Sequence, residues 1–506
     1  MQKPPEQVSE GHPTQADQAI ARFLKASRQP VLLEPGEDHL ALQSDNFTVE
    51  WRNGCLILQA WDDTRNLARR ITGLGEEKPG RLELIVERFG KRQGQLYLID
   101  LARGGGLETR RRGCRLVLRE QFRRFLSRQF PGWKIAELST EANLEESLSP
   151  VYPRALLRKG GSGWAALAAP PDAGAAAGAL TFALLWLNYL RRRERRLTIE
   201  GLALFLAQGH QRTTCLRLPF LNPRTLRMAA FIYSEQGFED RLDARDWGNL
   251  DTRLESCRGP FPHRAAHVEA WVERLGRFPY VESIERSDGA ASLRVRGLEF
   301  ARATRTELLF GLQSRAAARE SNLGEIERLA AEIARLRSPE AADHDNPLYR
   351  LHPEAWLESQ VRAHLEQIDP SLYPAPLCAQ APTVAGGERG VMDLLAVDRD
   401  GRLAVLELKA SEDIHLPLQA LDYWMRVKWH LDRGEFAERG YFPGIALRPD
   451  SPRLLLIAPA LEFHPTTEVI LRYFSAEIDV ERIGLGVEWR KKPEVMFRMR
   501  GAEHPF

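Results

Sequence analysis

Hydrophobic positions along the chain recur with two periods, and the places where the period changes divide it into segments. Residues 1–45 carry little pattern beyond one short helical stretch at 15–24, and read as a mobile lead. From Phe47 the alternation is two-residue, over 47–51, 55–61, 82–86 and 95–99, with turn residues at Asn53-Gly54 and at Lys91-Arg92-Gln93-Gly94. This predicts a small, mostly antiparallel β unit over 46–135, closed by a helix near 120–129. Residues 136–300 mix strand-like runs (164–169, 201–206, 214–218) with a helical run at 180–190, which implies a middle α/β region. Over 306–337 apolar residues fall at helical spacing, with Leu323, Ile326, Leu329, Ile333 and Leu336 on one stripe. That spacing suits a helical connector spanning 301–344, or a short helix that makes a homodimer, and the turn-rich 338–347 reads as a linker. Beyond it, Pro353 opens an amphipathic helix with Trp356, Leu357, Val361 and Leu365 apolar. Strands at 391–397 and 403–408, a helix at 416–431, a strand at 453–458, a helix at 467–474 and a strand at 478–483 follow, giving an α/β domain over 345–506.

Composition narrows the class without naming a function. A chain of 506 residues exceeds one core, and 43% apolar residues supply ample packing material. Lys and Arg number 71 against 69 Asp and Glu, so overall charge points to no polyanionic partner. The five cysteines are isolated, which indicates neither a zinc ribbon nor a disulfide framework and fits a reducing, cytoplasmic setting. The N-terminus lacks a signal-like apolar core. Residues 173–190 imitate a membrane span, but the weak Ala/Gly half and Asn188 favour a flexible loop leading into a buried helix at 180–190, and no membrane partner is expected. His263 and His267 are four apart in a helical stretch, yet Arg264 stands where a zinc protease helix carries its glutamate. The basic run with Arg119, Arg123, Arg124 and Arg128 suits a phosphate backbone, or else pairs with Glu137, Glu141, Glu145 and Glu146. No internal repeat and no phosphate-binding P-loop is visible.

One constellation carries chemistry. Glu407 and Lys409 sit two apart at the end of the apolar run 403–406, so a strand turns them to one face and Leu406 and Leu408 to the other. The segment Asp398-Arg399-Asp400-Gly401 is turn-forming, and a three-residue loop 399–401 with Gly401 left-handed sets Asp393 opposite Glu407. A two- or four-residue loop would put the carboxylates on opposite faces. Two adjacent carboxylates repel unless a cation lies between them, and oxygen ligands suit Mg²⁺ or Mn²⁺. Such an ion activates water and neutralises a phosphodiester, while Lys409 steadies the attack.

These residues resemble the PD-(D/E)xK nuclease superfamily, in which Gly-x-x-Asp (Gly390 to Asp393), a strand, a turn and a strand ending Glu-x-Lys precede a helix carrying Gln. Met392 stands where the superfamily's name has proline, as in branches similar to RecB-like and archaeal mismatch endonucleases. The resemblance covers about residues 345 to 490 and implies a restriction-endonuclease-like αβββαβ core. It further implies that Glu358, or Glu354 one turn earlier, joins Asp393 and Glu407 in holding the metal. Gln419 then touches the attacking water or a phosphate, with Tyr423 on the same helix face. The implied activity is metal-dependent hydrolysis of DNA, single-stranded, nicked or branched. The rival is a non-catalytic nucleic-acid grip or partner-docking module that keeps the fold. The middle region lacks an Asp…Glu-x-Lys set, so a nuclease-like duplicate there would have lost its chemistry.

Overall fold

A computed structural model describes residues 15–35, 39–43, 46–52, 54–61, 66–88, 92–102, 107–234, 237–243, 252–254, 257, 263–285, 289–385 and 388–502. Side chains at 66, 88, 92, 107–114, 379–385 and 388–393 lie outside that description. The chain is mixed α/β, with four sheets among the described residues, and it divides into two compact units. The first comprises residues 1–215 and 226–246; the second comprises 216–225 and 247–506.

In the first unit, strands Phe47–Arg52, Cys55–Trp61, Asn66–Lys78, Arg81–Arg88 and Arg92–Asp100 form an antiparallel meander. The described part of the supposed lead belongs to it. Pro30–Leu33 pairs with Arg92–Asp100, and helix Gln15–Ala26 buries Ala19, Ile20 and Phe23 in the meander's core, because apolar residues at three- and four-residue spacing face one way. The strand Asn66–Lys78 escaped the sequence pattern because Arg69, Arg70, Glu76 and Glu77 break its alternation. Helix Leu107–Gln129 follows, and then a six-stranded sheet built from Lys134–Ser139, Arg154–Lys159, Ser162–Ala168, Thr198–Ala207, Arg227–Tyr233 and Glu239–Leu242. The expected Ala/Gly loop is helical: Ala173–Arg193 is one helix, capped where Asp172 Oδ1 accepts the Ala175 N–H at 2.8 Å. It is long and apolar enough to cross a membrane, and Leu180, Leu184 and Leu187 are fully buried within the unit. The run 214–218, expected as strand, is helix Arg212–Arg217 followed by a 3₁₀ turn, Leu218–Phe220.

The second unit opens with helix Ala266–Gly276, so His263 precedes the helix and His267 rests edge-on against Trp271. A five-stranded antiparallel meander follows, through Val281–Glu285, Ala291–Val295, Leu298–Ala303, Leu308–Phe310 and Ala316–Ala317. The connector expected over 306–337 is therefore helical only at Leu323–Leu336, whose Ile326, Ala330 and Ile333 complete the meander's core. Nor does the linker hang free. Arg337 is fully buried and donates to the carbonyls of Arg296, Leu348, Leu351 and His352, while its guanidinium lies 4.7 Å from the centre of the Trp356 ring. Helix Pro353–Ala363 comes next. A seven-stranded sheet then runs in the order Thr252–Leu254, Cys378–Ala385, Glu388–Val397, Leu403–Leu408, Arg453–Pro459, Asp479–Leu485, Val495–Arg500. Leu403–Leu408, Arg453–Pro459 and Asp479–Leu485 are mutually parallel and every other neighbour is antiparallel.

Candidate active site

The hairpin that carries the Glu-x-Lys pair has the expected register. Leu394 pairs with Leu406, Leu395 with Val405, Ala396 with Ala404 and Val397 with Leu403. Continued by one residue, that register reaches Asp393 and Glu407. The turn enforces it: Gly401 has φ +86°, donates to the Asp398 carbonyl at 3.0 Å, and an added Cβ would stand 2.2 Å from the Ala446 carbonyl oxygen. Asp398 Oδ1 accepts from Asp400 and Arg402 amides, an Asx turn written directly in the sequence. The side chain of Asp393 lies outside the described residues.

Glu407 is 3% exposed and pairs in parallel with Leu456, one residue short of the strand's carboxyl end. Leu406 and Leu408 turn into the core shared with Trp356 and Leu357, so strand alternation sends Glu407 to the other face. Lys409 continues the strand, its N–H bonded to the Ile457 carbonyl at 3.0 Å, and its Nζ is 3.3 Å from Asp413 Oδ2. Asp413 also accepts the His415 N–H, at 2.8 Å, just before helix Leu416–Asp432 begins. On that helix His415, Gln419, Asp422 and Arg426 form one half-buried polar stripe, while Leu416, Leu418, Ala420, Leu421, Trp424 and Met425 are buried. Arg217 grips the stripe, with Nε and Nη2 at 2.8 and 2.7 Å from the two Asp422 oxygens. Burial, opposed by Asp413 and aided by the nearby Arg217 and Lys409 charges, lowers the pKa of His415, so its imidazole is neutral near pH 7. Tyr423 is half-buried beside the stripe, under the Arg426 guanidinium at 5.6 Å.

Glu358 is placed differently. Its helix covers the Leu406/Leu408 face, and its buried carboxylate lies 3.8 Å from both Arg294 Nη1 and Arg362 Nη1. Arg362 also meets Glu282, as does Ser359, so the acidic helix is tied to the meander of the same unit. Glu354, the second choice, is half-buried. The basic helix of the first unit is already engaged: Arg123 Nε bonds Glu120 at 2.9 Å, Arg119 lies 3.8 Å from the same carboxylate, and Arg128 grips Glu239. Those acids are not the ones expected, since Glu137 and Glu146 hold Arg193 and Arg192. Arg124 Nε and Nη2 are buried. Among the described residues no three His, Cys, Asp or Glu side chains gather closely enough to hold a metal ion. Glu407 presents a carboxylate at this edge, the donor type that suits a hard divalent cation. Sequence reading missed Asp413, His415, Asp422 and Arg217. The first three follow Glu407 within fifteen positions, Asp413 and His415 just before helix Leu416–Asp432 and Asp422 on it, a signal that was available. Arg217 gave none, being 205 positions from Asp422. Compared with models of known protein families and with curated protein sequences, the chain matches none.

Proposed function

We propose that the C-terminal part of the second unit is a metal-dependent nuclease domain that hydrolyses phosphodiester bonds in DNA, with Asp393 and Glu407 as metal ligands. The observation that supports this reading is the hairpin register, which, continued by one residue, sets Asp393 opposite Glu407 near the carboxyl end of a parallel strand. Helix Pro353–Ala363, the three strands from Cys378 to Leu408, helix Leu416–Asp432 and strand Arg453–Pro459 follow in the αβββαβ order the resemblance asks for. Asp393 and Glu407 would hold Mg²⁺ or Mn²⁺, which when bound would supply Lewis acidity toward a phosphodiester and a more acidic water. Lys409 donates from Nζ to the attacking water or to charge developing on phosphorus, and Asp413 holds that ammonium in place. Gln419, a turn after neutral His415, offers an amide to a phosphate oxygen, and Tyr423 offers a ring to a base further along. Glu358 would join the ligands only by leaving Arg294 and Arg362.

That pairing favours a second reading, a fold that binds nucleic acid without cutting it. Lys409→Ala separates the two. If the domain cuts, cleavage of DNA in Mg²⁺ or Mn²⁺ falls on the order of 10²–10³-fold, and a chelator abolishes it in the wild type. Equal DNA binding with and without chelator, and no cleavage in either, leaves the binding reading.

A further inference from the structure

The two units repeat one architecture. Each runs from a helix (Gln15–Ala26; Ala266–Gly276) through an antiparallel meander, of seven strands in the first unit and five in the second, to a helix (Leu107–Gln129; Pro353–Ala363, the latter after the extra helix Leu323–Leu336) and then into a mixed sheet. In that sheet, neighbours from Lys134–Ser139 to Glu239–Leu242 pair antiparallel, antiparallel, parallel, parallel, antiparallel. From Cys378–Ala385 to Val495–Arg500 the sequence of pairings is identical. A long helix makes the first parallel crossover in both, Ala173–Arg193 and Leu416–Asp432, and a short one the second, Arg212–Arg217 and Thr467–Leu471.

The registers fix which residues correspond. At the end of the third strand the Ala169 N–H bonds the Phe205 carbonyl at 2.9 Å, and the Lys409 N–H bonds the Ile457 carbonyl at 3.0 Å. Counting from these bonds, Ala155, Ala168, Phe205 and Phe231 stand where Leu394, Leu408, Ile457 and Ile483 stand. Each set is the floor under a preceding helix, with Phe122 and Phe125 in one unit and Trp356 and Leu357 in the other, so the faces agree as well as the count. Lys409 then corresponds to Ala169 and Glu407 to Leu167. The position of Asp393 corresponds to Arg154, the partner of Leu167 in the ladder. Arg154 is buried, donates to the Glu141 and Ser149 carbonyls, and lies 5.5 Å from the Trp186 ring centre. A fixed guanidinium therefore occupies a position that, in the other copy, is a carboxylate. With no carboxylate opposite it, this edge repels a cation.

We infer that the chain is a tandem repeat of one fold in which only the second copy holds a reactive centre, so that each chain makes one phosphodiester cut per binding event. The cut rests on the nuclease reading; the single metal centre does not. The full-length chain and Glu407→Gln are titrated with Mn²⁺, followed by electron paramagnetic resonance, and incubated in molar excess with supercoiled plasmid. Glu407→Gln should lose all tight Mn²⁺ binding and all cleavage, and wild type should convert the plasmid to nicked circles before linear DNA appears. Linear DNA arising together with nicked circles overturns the inference and leaves the nuclease reading standing, whereas retained Mn²⁺ binding or nicking in Glu407→Gln overturns the inference and the role given to Glu407. Mn²⁺ binding that depends on Glu407 without any cleavage keeps the single centre and sinks the nuclease reading. Wild type that neither binds Mn²⁺ nor cuts sinks both.

Discussion

At the scale of single residues, the candidate site depends on groups whose reach is local and groups whose reach is not. Glu407 and Lys409 were legible because a strand's two-residue period is fixed by the backbone, so their common face follows from spacing alone. Gly401 was legible for the same reason: a turn before a strand that needs a left-handed residue selects glycine. Gly401→Ala should cost about 1–3 kcal/mol, from the positive φ together with the collision with the Ala446 carbonyl. A lower denaturation midpoint, with cleavage reduced more than stability alone explains, is the expected result; an unchanged midpoint would mean that the turn does not set the register. Arg217 and Arg294 were illegible because a guanidinium finds its carboxylate through tertiary structure. Nothing near either in sequence points to Asp422 or Glu358.

At the scale of elements, the hairpin and parallel strands at the site and most strands of the first meander read well, while Cys378–Ala385 and the strands of the second meander did not. The parallel strands Leu403–Leu408 and Arg453–Pro459 are buried on both faces, which writes them as apolar runs. The short edge strands Leu308–Phe310 and Ala316–Ala317 are too brief to show a period, and helical spacing misdescribes them. At the amino end of the sheet, Arg453 binds Asp369 and Glu481 at 2.8 Å each, and Arg498 binds the same two carboxylates. Burial tends to raise the Asp369 pKa, but Ser371, Arg453 and Arg498 outweigh it and hold that carboxyl below its ordinary value. Arg453→Met leaves two buried carboxylates short of a cation and should destabilise the unit by roughly 3–5 kcal/mol, read by urea denaturation; a loss below about 1 kcal/mol would make the cluster a surface-like pair. His430, on the Gln419 helix, has its pKa lowered mainly by burial, against the raising pull of Glu435 at 2.7 Å from Nδ1. A depressed pKa contributes stability that is full above about 6.5, the unfolded value, and is lost as pH falls through the folded one. Between pH 7.5 and 5.5 the wild type should therefore lose more stability than His430→Gln. Parallel pH profiles would show that His430 titrates as it does unfolded.

At the scale of the whole molecule, two compact units of one architecture carry one set of acidic positions between them. That repetition was invisible in the sequence because it resides in strand order and register. Ala155, Ala168 and Phe205 share with Leu394, Leu408 and Ile457 only a buried, apolar character, which many sequences satisfy. Arg154, Leu167 and Ala169 have also erased the one motif that could have been compared. The account consequently stakes its function on a single rung of a single hairpin. The most direct measurement is incubation of the wild type and Asp393→Asn with a panel of single-stranded, nicked, branched and duplex DNA, and RNA, in Mg²⁺ and in Mn²⁺. The account predicts metal-dependent cleavage of at least one DNA form by the wild type and none by the variant. Cleavage that survives Asp393→Asn, or a wild type that leaves every substrate intact in both metals, would contradict it.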